Sequence, residues 1–149
     1  MNVSFKMIFV GEGALKDSFV LESYNLGLQD EIEFRNPSTS VAEFLSNDVD
    51  VFLFPSKFEG LGLSLIEAQY YGLPCIVSST VPREAIFGNC TIINIEQDAL
   101  DSCIAEIIRK KDYIVQSENF DSVRTAIEVS DINIKNNLKK LNILYSREI

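Results

Sequence analysis

The sequence contains no histidine, so several kinds of catalytic site are excluded within this chain. Mechanisms with an imidazole base, a His-oriented nucleophile or a His-ligated metal all need that side chain. Cysteine is also scarce: Cys75, Cys90 and Cys103 are odd in number, far apart and without a CxxC pair. This pattern is typical of reduced thiols packed in a core, not of a disulfide framework.

Basic residues are few, with 13 Lys plus Arg against 22 Asp plus Glu and a net charge of −9. That excess repels phosphate backbones and anionic lipid, so the charge predicts neither nucleic acid nor a membrane surface as a partner. No apolar run reaches the roughly 18 residues of a membrane span. The N-terminus also lacks the order of a signal peptide, and we therefore expect a cytoplasmic protein.

The composition that remains, 149 residues with 46% hydrophobic side chains, predicts one globular domain with its own core over residues 1–149. Apolar strand-like runs alternate with stretches of helical spacing, which favours a three-layer, Rossmann-like α/β domain with a mainly parallel five-stranded sheet. The predicted strands are Lys6–Val10, Glu31–Phe34, Val49–Phe54, Cys75–Ser78 and Thr91–Asn94. We expect the apolar run that ends at Phe54 to lie in the centre of the sheet.

Helical spacing and stop signals predict five helices around these strands. Leu15, Phe19 and Leu26 share one face of the first, which Gly27 ends as a left-handed cap. The others are a short helix from Ser40 to near Asn47, one over Leu63–Tyr71 stopped by Gly72 and Pro74, one around residues 100–111, and a long one after Asp131.

The last predicted helix carries an apolar stripe of Ile134, Leu138, Leu141 and Tyr145. Such a stripe needs a surface to cover. It either packs on its own sheet or pairs with another copy, and we expect weak self-association at high concentration.

Gly11-Glu12-Gly13 follows the first strand and precedes the first helix, where glycines let the backbone approach a phosphate. A dinucleotide fingerprint would need a third glycine near Lys16, and none is there, so NAD binding is disfavoured. Gly11 and Gly13 are either a turn near a bound ligand or only a tight strand-to-helix turn.

The segment from Phe54 to Ala68 carries the strongest signal: it leaves a strand, passes two glycines and enters a helix. Free backbone amides and the positive end of a helix then lie at the carboxyl ends of the strands, which suits a diphosphate. Glu59 and Glu67 can accept hydrogen bonds from sugar hydroxyls on either side of it. A nucleotide sugar has this layout.

The residues PSKFEGLGLSLIEAQYYGLPCIVS, with Glu59 and Glu67 separated by seven residues, resemble a known family. They are similar to the donor domain of glycosyltransferase family 4, with the GT-B architecture, of the type that makes capsular polysaccharide or exopolysaccharide. FVGEG upstream and TVPRE downstream extend the resemblance over about residues 5–110. Its most specific part is the block from Glu59 to Pro74.

The resemblance implies a retaining transfer of a hexose from a nucleoside diphosphate to a glycan acceptor, without an essential metal or other cofactor. Glu59 would contact the donor sugar as the catalytic residue and Glu67 the ribose. The donor-binding set is Glu59, Gly60, Leu61, Gly62, Leu63 and Glu67, with amides facing the diphosphate or sugar. Ser64 to Glu67 can also be interpreted as a capping box, in which the Glu67 carboxylate only satisfies a backbone amide.

Complete members of that family have an N-terminal acceptor-binding domain and a segment whose Arg and Lys neutralise the diphosphate, and this sequence contains neither. The resemblance therefore predicts the C-terminal half of an enzyme: an excised fragment, a truncated gene product or half of a two-chain enzyme. A position at the inner face of the membrane stays open for the full-length enzyme. The alternative function is a non-catalytic nucleotide or nucleotide-sugar binding module that acts with a separate chain.

Overall fold

A computed structural model describes residues 5–37, 41–88, 90–94 and 120–145. The chain divides into two compact units, Met1–Val41 and Ala42–Ile149. Within the described residues, every helix is too short or too polar to span a bilayer.

The first unit contains one β-α-β element. Strand β1 (Met7–Val10) pairs in parallel with β2 (Ile32–Arg35), and helix α1 (Lys16–Asn25) connects them. Gly27 follows α1 with φ of +70°, so it is the predicted left-handed cap. The predicted apolar face of α1 is exposed, and only Ser23 of this helix is buried.

The second unit contains a parallel sheet in the order β3-β4-β5. Its strands are β3 (Phe52–Phe54), β4 (Cys75–Ser78) and β5 (Cys90–Ile93). β4 is the central strand, between β3 and β5, and all four of its residues are buried. β4 has the predicted bounds, and the other strands lie within a few residues of theirs.

Four further helices are described, the first of which begins at the last residue of the first unit: α2 (Val41–Asn47), α3 (Leu63–Tyr70), α4 (Phe120–Val129) and α5 (Ile134–Tyr145). A single 3₁₀ turn covers Arg83–Ala85. The buried core gathers Leu45, Leu65, Ile66, Ala68, Leu73, Cys75, Val77, Val81, Ala85 and Ile127. α3 supplies three of these side chains, so the helix that follows the glutamate motif is anchored in the core.

The α/β class and the parallel strands are confirmed, but the strands form two sheets instead of the predicted single one. Each described ladder joins strands that follow one another along the chain, and no described ladder links β1 or β2 to the other three. The prediction that Phe52–Phe54 is central is wrong for this sheet. Among the described strands, β3 pairs only with β4, and its residues are only half-buried.

Two predicted helices have different outcomes. The helix predicted around residues 100–111 lies outside the described residues, as does Ser40 at the predicted start of α2. The terminal helix is present as α5, and its Ile134 and Leu138 are 71% and 53% exposed. Helix α4 was not predicted, although Phe120, Val123 and Ile127 have the i, i+3, i+7 spacing of a buried helix face.

Candidate functional site

The segment between β3 and α3 forms the candidate site. β3 ends at Phe54 and α3 begins at Leu63, so the loop lies at the carboxyl end of a parallel strand. Ligands of open α/β sheets bind at this edge, because the helix start beyond it presents unpaired amides. The predicted placement of the glutamate motif on strand, loop and helix is therefore correct.

The Glu59 carboxylate folds back onto its own loop. Its Oε1 accepts hydrogen bonds from the amide of Gly60 at 3.1 Å and from the amide of Gly62 at 3.2 Å. One carboxylate oxygen thus bridges two neighbouring backbone donors beside the positive end of a helix. The loop amides therefore already bind a negatively charged oxygen, which is that of the Glu59 carboxylate.

Gly62 makes this geometry possible. It is the N-cap of α3 with φ of 70° and ψ of 52°, a left-handed conformation that glycine adopts without strain. Its carbonyl accepts from the amides of Leu65 and Ile66 at 3.0 and 3.1 Å. The amides of Leu63 and Ser64 have no acceptor within the helix. They add two further donors to the start of α3.

Glu67 lies on the exposed side of α3. The capping-box interpretation is wrong, because the N-cap is Gly62 and Ser64 already lies inside the helix. In the part of the chain that the structure describes, the Glu67 carboxylate has no hydrogen bond or ion pair, and the local fold does not account for it. It remains available to a ligand.

Apolar side chains surround the loop without burying it. Phe58 is 92% exposed, and Leu61 and Leu63 are 38% and 63% exposed. Glu59 itself is half-buried, since its carboxylate turns inward to the glycine amides. Of the predicted set, Glu59, Gly60, Gly62 and Glu67 therefore supply polar groups, and Leu61 and Leu63 supply backbone amides and exposed apolar surface.

Gly11 and Gly13 lie in the first unit, at the end of β1 and before α1. The amide of Gly11 donates to the carbonyl of Arg35 at 3.1 Å, which extends the β1–β2 ladder, and the Gly13 carbonyl accepts from the amide of Lys16. Both contacts fit a tight strand-to-helix turn. A place near the donor stays a prediction for these two glycines.

One acidic pair lies on the opposite side of β3 in sequence from the Glu59 loop. Asp48 and Asp50 precede β3, so they lie before the strand begins, whereas Glu59 follows its end. Among the described residues, no three Asp, Glu or Cys side chains gather as a metal-binding group. Independence from a metal stays a prediction.

Gln69 is a polar residue that the sequence analysis missed. It is 1% exposed, and its Nε2 donates to the carbonyls of Ala85 at 2.7 Å and Leu65 at 3.2 Å. Its Oε1 accepts from the amides of Phe87 and Gly88 at 2.8 and 3.2 Å. The spacing of four from Leu65, between buried neighbours, was the available signal. Gln69 joins the motif helix to the loop after β4.

A family model described as "Glycosyl transferases group 1" matches residues 1–110 of the chain. This match includes both units up to β5 and the whole Glu59 loop.

Two glycosyltransferases are similar to part of this chain. A galactosyltransferase of Escherichia coli, UDP-Gal:alpha-D-GlcNAc-diphosphoundecaprenol alpha-1,3-galactosyltransferase, is 38% identical over 102 residues, which cover 64% of this chain and 25% of that protein. The amylovoran biosynthesis glycosyltransferase AmsD of Erwinia amylovora is 29% identical over 98 residues, which cover 64% of this chain and 28% of that protein. The chain thus spans about a quarter of these relatives' length.

Among solved structures, the apo form of the lipopolysaccharide outer core galactosyltransferase WaaB superposes with a TM-score of 0.69. The two share 23% sequence identity, and the match covers 95% of this chain and 41% of that one. At this identity, the likeness establishes the fold.

Proposed function

Because the chain belongs to the glycosyl transferases group 1 family, we propose that it is the donor-binding part of a retaining glycosyltransferase with the GT-B architecture. The family predicted from the Glu59-to-Pro74 block is confirmed. The proposed reaction moves a hexose from a nucleoside-diphosphate sugar to a glycan acceptor in polysaccharide biosynthesis. The relatives' names, which include amylovoran biosynthesis, support that setting.

One observation carries the proposal: a carboxylate oxygen of Glu59 is bound by two loop amides at the start of α3. A group that binds one oxyanion in this way can bind another of similar size, such as a phosphate oxygen. A donor diphosphate would displace Glu59 from Gly60 and Gly62. The freed carboxylate could then accept hydrogen bonds from the hydroxyls of the donor sugar.

In this proposal, Glu67 accepts from the ribose hydroxyls, because its carboxylate is exposed and without a partner among the described residues. As the bond between the sugar and the diphosphate breaks, negative charge grows on the leaving phosphate. Preorganised amides and the helix dipole stabilise such charge at no cost of reorganisation. No metal is needed for this role, and cations from a further segment would complete it.

The partners proposed are the nucleotide-sugar donor and a glycan acceptor held by a further domain. We keep the predicted cytoplasmic location. Weak self-association remains part of the proposal, since Ile134 and Leu138 of α5 are exposed apolar side chains. Sedimentation at rising salt tests it: screening should strengthen pairing against the repulsion of a −9 charge, and a strict monomer in high salt would contradict it.

Calorimetry with UDP, GDP, UDP-glucose, UDP-galactose and GDP-mannose tests the proposed function, with adenosine as a control that lacks a diphosphate. We expect weak binding of at least one diphosphate and no sugar transfer by this chain alone. Absence of binding by every diphosphate at millimolar concentration would contradict the site. Transfer by the chain alone would contradict the need for a further domain. Binding of the sugar nucleotide without transfer, even after an acceptor domain is added, would favour the non-catalytic module.

A further inference from the structure

A cluster of hydroxyl groups joins the loops that follow β3 and β4. The carbonyl of Ser56, two residues after β3, accepts hydrogen bonds from Ser78 Oγ and from Thr80 Oγ1. The two hydroxyl oxygens lie 2.8 Å apart. Ser78 is the last residue of β4 and is 1% exposed, whereas Thr80 is exposed.

Two hydroxyl protons are shared among the three contacts of this cluster. Each hydroxyl carries a single proton, so either both protons go to the two lone pairs of the Ser56 carbonyl or one hydroxyl donates to the other. Both arrangements leave the Ser56 carbonyl bound from across the sheet edge. Its backbone position is therefore tied to the end of β4.

A further hydrogen bond connects Ser56 to the residue before Glu59. Ser56 Oγ donates to the carbonyl of Phe58 at 3.0 Å, which tightens the turn just before Glu59. Apolar packing does not hold this turn, because Phe58 is 92% exposed. Hydrogen bonds therefore fix both ends of the loop: the hydroxyl cluster at Ser56, and the Glu59 carboxylate at the glycine amides.

Glu67 depends on a different anchor. It lies on α3, whose Leu65, Ile66 and Ala68 are buried in the core. Loosening the Ser56 loop should therefore move Glu59 without moving Glu67. In the proposed function a diphosphate displaces Glu59 from the loop amides, so a looser Glu59 should not weaken the bare nucleotide. The donor sugar, which Glu59 itself contacts, should be held less tightly.

We propose that Ser78 and Thr80 are positioning residues, which fix through Ser56 the loop that carries Glu59 and so set how tightly the transferred sugar is held. This inference rests on the proposed function. It assigns control of how tightly the sugar part of the donor is held to two side chains that act through the backbone of Ser56.

The test compares Thr80→Val with the conservative Thr80→Ser, since Thr80 is exposed and its replacement leaves the core intact. One lost hydrogen bond corresponds to roughly a threefold to tenfold change in affinity. We expect Thr80→Val to weaken UDP-glucose, UDP-galactose or GDP-mannose, whichever binds, by about that factor and to leave UDP and GDP nearly unchanged. Thr80→Ser should bind like the wild type.

Thr125→Val is the matched control, because Thr125 Oγ1 also donates to a backbone carbonyl, that of Asp121 at 2.7 Å, but on helix α4. Ser78→Ala supplies a second variant, with the same expected split between sugar nucleotide and bare nucleotide. The inference is overturned if Thr80→Val weakens the sugar nucleotide and the bare nucleotide equally, or weakens neither. It is also overturned if Thr80→Ser loses as much affinity as Thr80→Val.

Amide hydrogen exchange of Gly60 and Gly62 separates this inference from the proposed function. In the ligand-free protein, Thr80→Val should speed exchange at both amides, because Glu59 is held less firmly, whereas Thr80→Ser and Thr125→Val should not. If the wild type binds no nucleotide, the proposed function fails and exchange alone decides the positioning role. Unchanged exchange in Thr80→Val would overturn that role.

Discussion

Helix α3 and the loop before it use polar groups in two opposite ways. At the C-terminal end, Gln69 is buried and both of its side-chain polar atoms are bonded to the backbone. On the exposed face of the same helix, Glu67 has no partner in the described part of the chain, and in the loop before the N-terminal end Glu59 is bonded only to amides of its own loop. The comparison separates a polar residue that maintains the fold from polar residues that a ligand can engage.

The packing around these ends differs in the same direction. Beyond the C-terminal end of α3, the aromatic rings of Tyr70 and Phe120 lie 4.5 and 5.0 Å from the guanidinium carbon of Arg124. Tyr70 also donates to Glu128 at 2.9 Å, and this bond raises the pKa of Tyr70. Before the N-terminal end, Phe58 projects into solvent. The C-terminal end of α3 is thus packed against α4, whereas the loop before its N-terminal end is exposed.

The largest effect that we expect comes from Gln69→Leu. The leucine leaves the carbonyl of Ala85 and the amides of Phe87 and Gly88 without their partner in a buried site. Unsatisfied buried groups of this kind should lower the free energy of unfolding by roughly 3–5 kcal/mol. Urea unfolding measures this loss of stability. Gln29→Leu is the control, because it makes the same replacement at an exposed position. A loss below about 1 kcal/mol would show that the network is not what holds this end.

A smaller effect is expected from Gly72→Ala. Gly72 has φ of +79°, and an added Cβ would lie 2.3 Å from the ring of Phe120. Left-handed strain and the clash together should cost roughly 2–3 kcal/mol.

Gly27→Ala separates the two causes in that prediction. Gly27 has a similar φ of +70°, but nothing lies within 4 Å of the added Cβ. Strain alone should cost about 1 kcal/mol there. Thermal unfolding of both variants gives the difference. Equal losses would mean that α4 moves away from Gly72 without cost.

The smallest effect is expected in the first unit, from a partly exposed ion cluster. Glu33 lies 2.6 Å from Lys6 Nζ and 2.5 Å from Arg35 Nε, and the hydrogen bonds from Arg35 and Lys6 lower its pKa from 4.5 to about 2. A lowered pKa stabilises the folded form above pH 4.5, and this contribution disappears as the pH falls through about 2. Solvent screening keeps it small.

Acid unfolding of Glu33→Gln and the wild type, at low and high salt, checks this. The variant should lose less stability on acidification than the wild type, and salt should narrow the difference. If the wild type and Glu33→Gln lose the same stability as the pH falls at low salt, the lowered pKa of Glu33 is contradicted.

The sequence predicted the parts of this comparison that depend on local pattern. The bounds of β4, the start of α3 and the caps at Gly27 and Gly72 follow from short apolar runs and glycine positions, and the structure confirms them. The glutamate spacing likewise placed both carboxylates on one loop-and-helix segment. These features need only a few neighbouring residues, so the sequence shows them directly.

Features that depend on distant residues were missed. The return of the Glu59 carboxylate to Gly60 and Gly62 is a choice of side-chain direction that spacing does not reveal. Gln69 was missed because three of the backbone groups that it binds, in Ala85, Phe87 and Gly88, lie 16 or more positions away. Helical spacing predicted the apolar face of α1, but spacing does not show whether that face is covered, and its side chains are exposed.

The central claim is that the Glu59 loop and Glu67 bind opposite ends of a nucleotide sugar. Calorimetry of the wild type, Glu59→Gln and Glu67→Gln tests it, with Glu22→Gln on α1 as a matched control. Glu67→Gln should weaken UDP or GDP and the sugar nucleotide alike, by about tenfold, with little change in melting temperature. Glu59→Gln should not weaken the bare nucleotide, because its diphosphate displaces the Glu59 side chain from the loop amides, and should weaken only the sugar nucleotide. If Glu67→Gln leaves every affinity unchanged, or if Glu59→Gln weakens both ligands equally, this account of the site is contradicted.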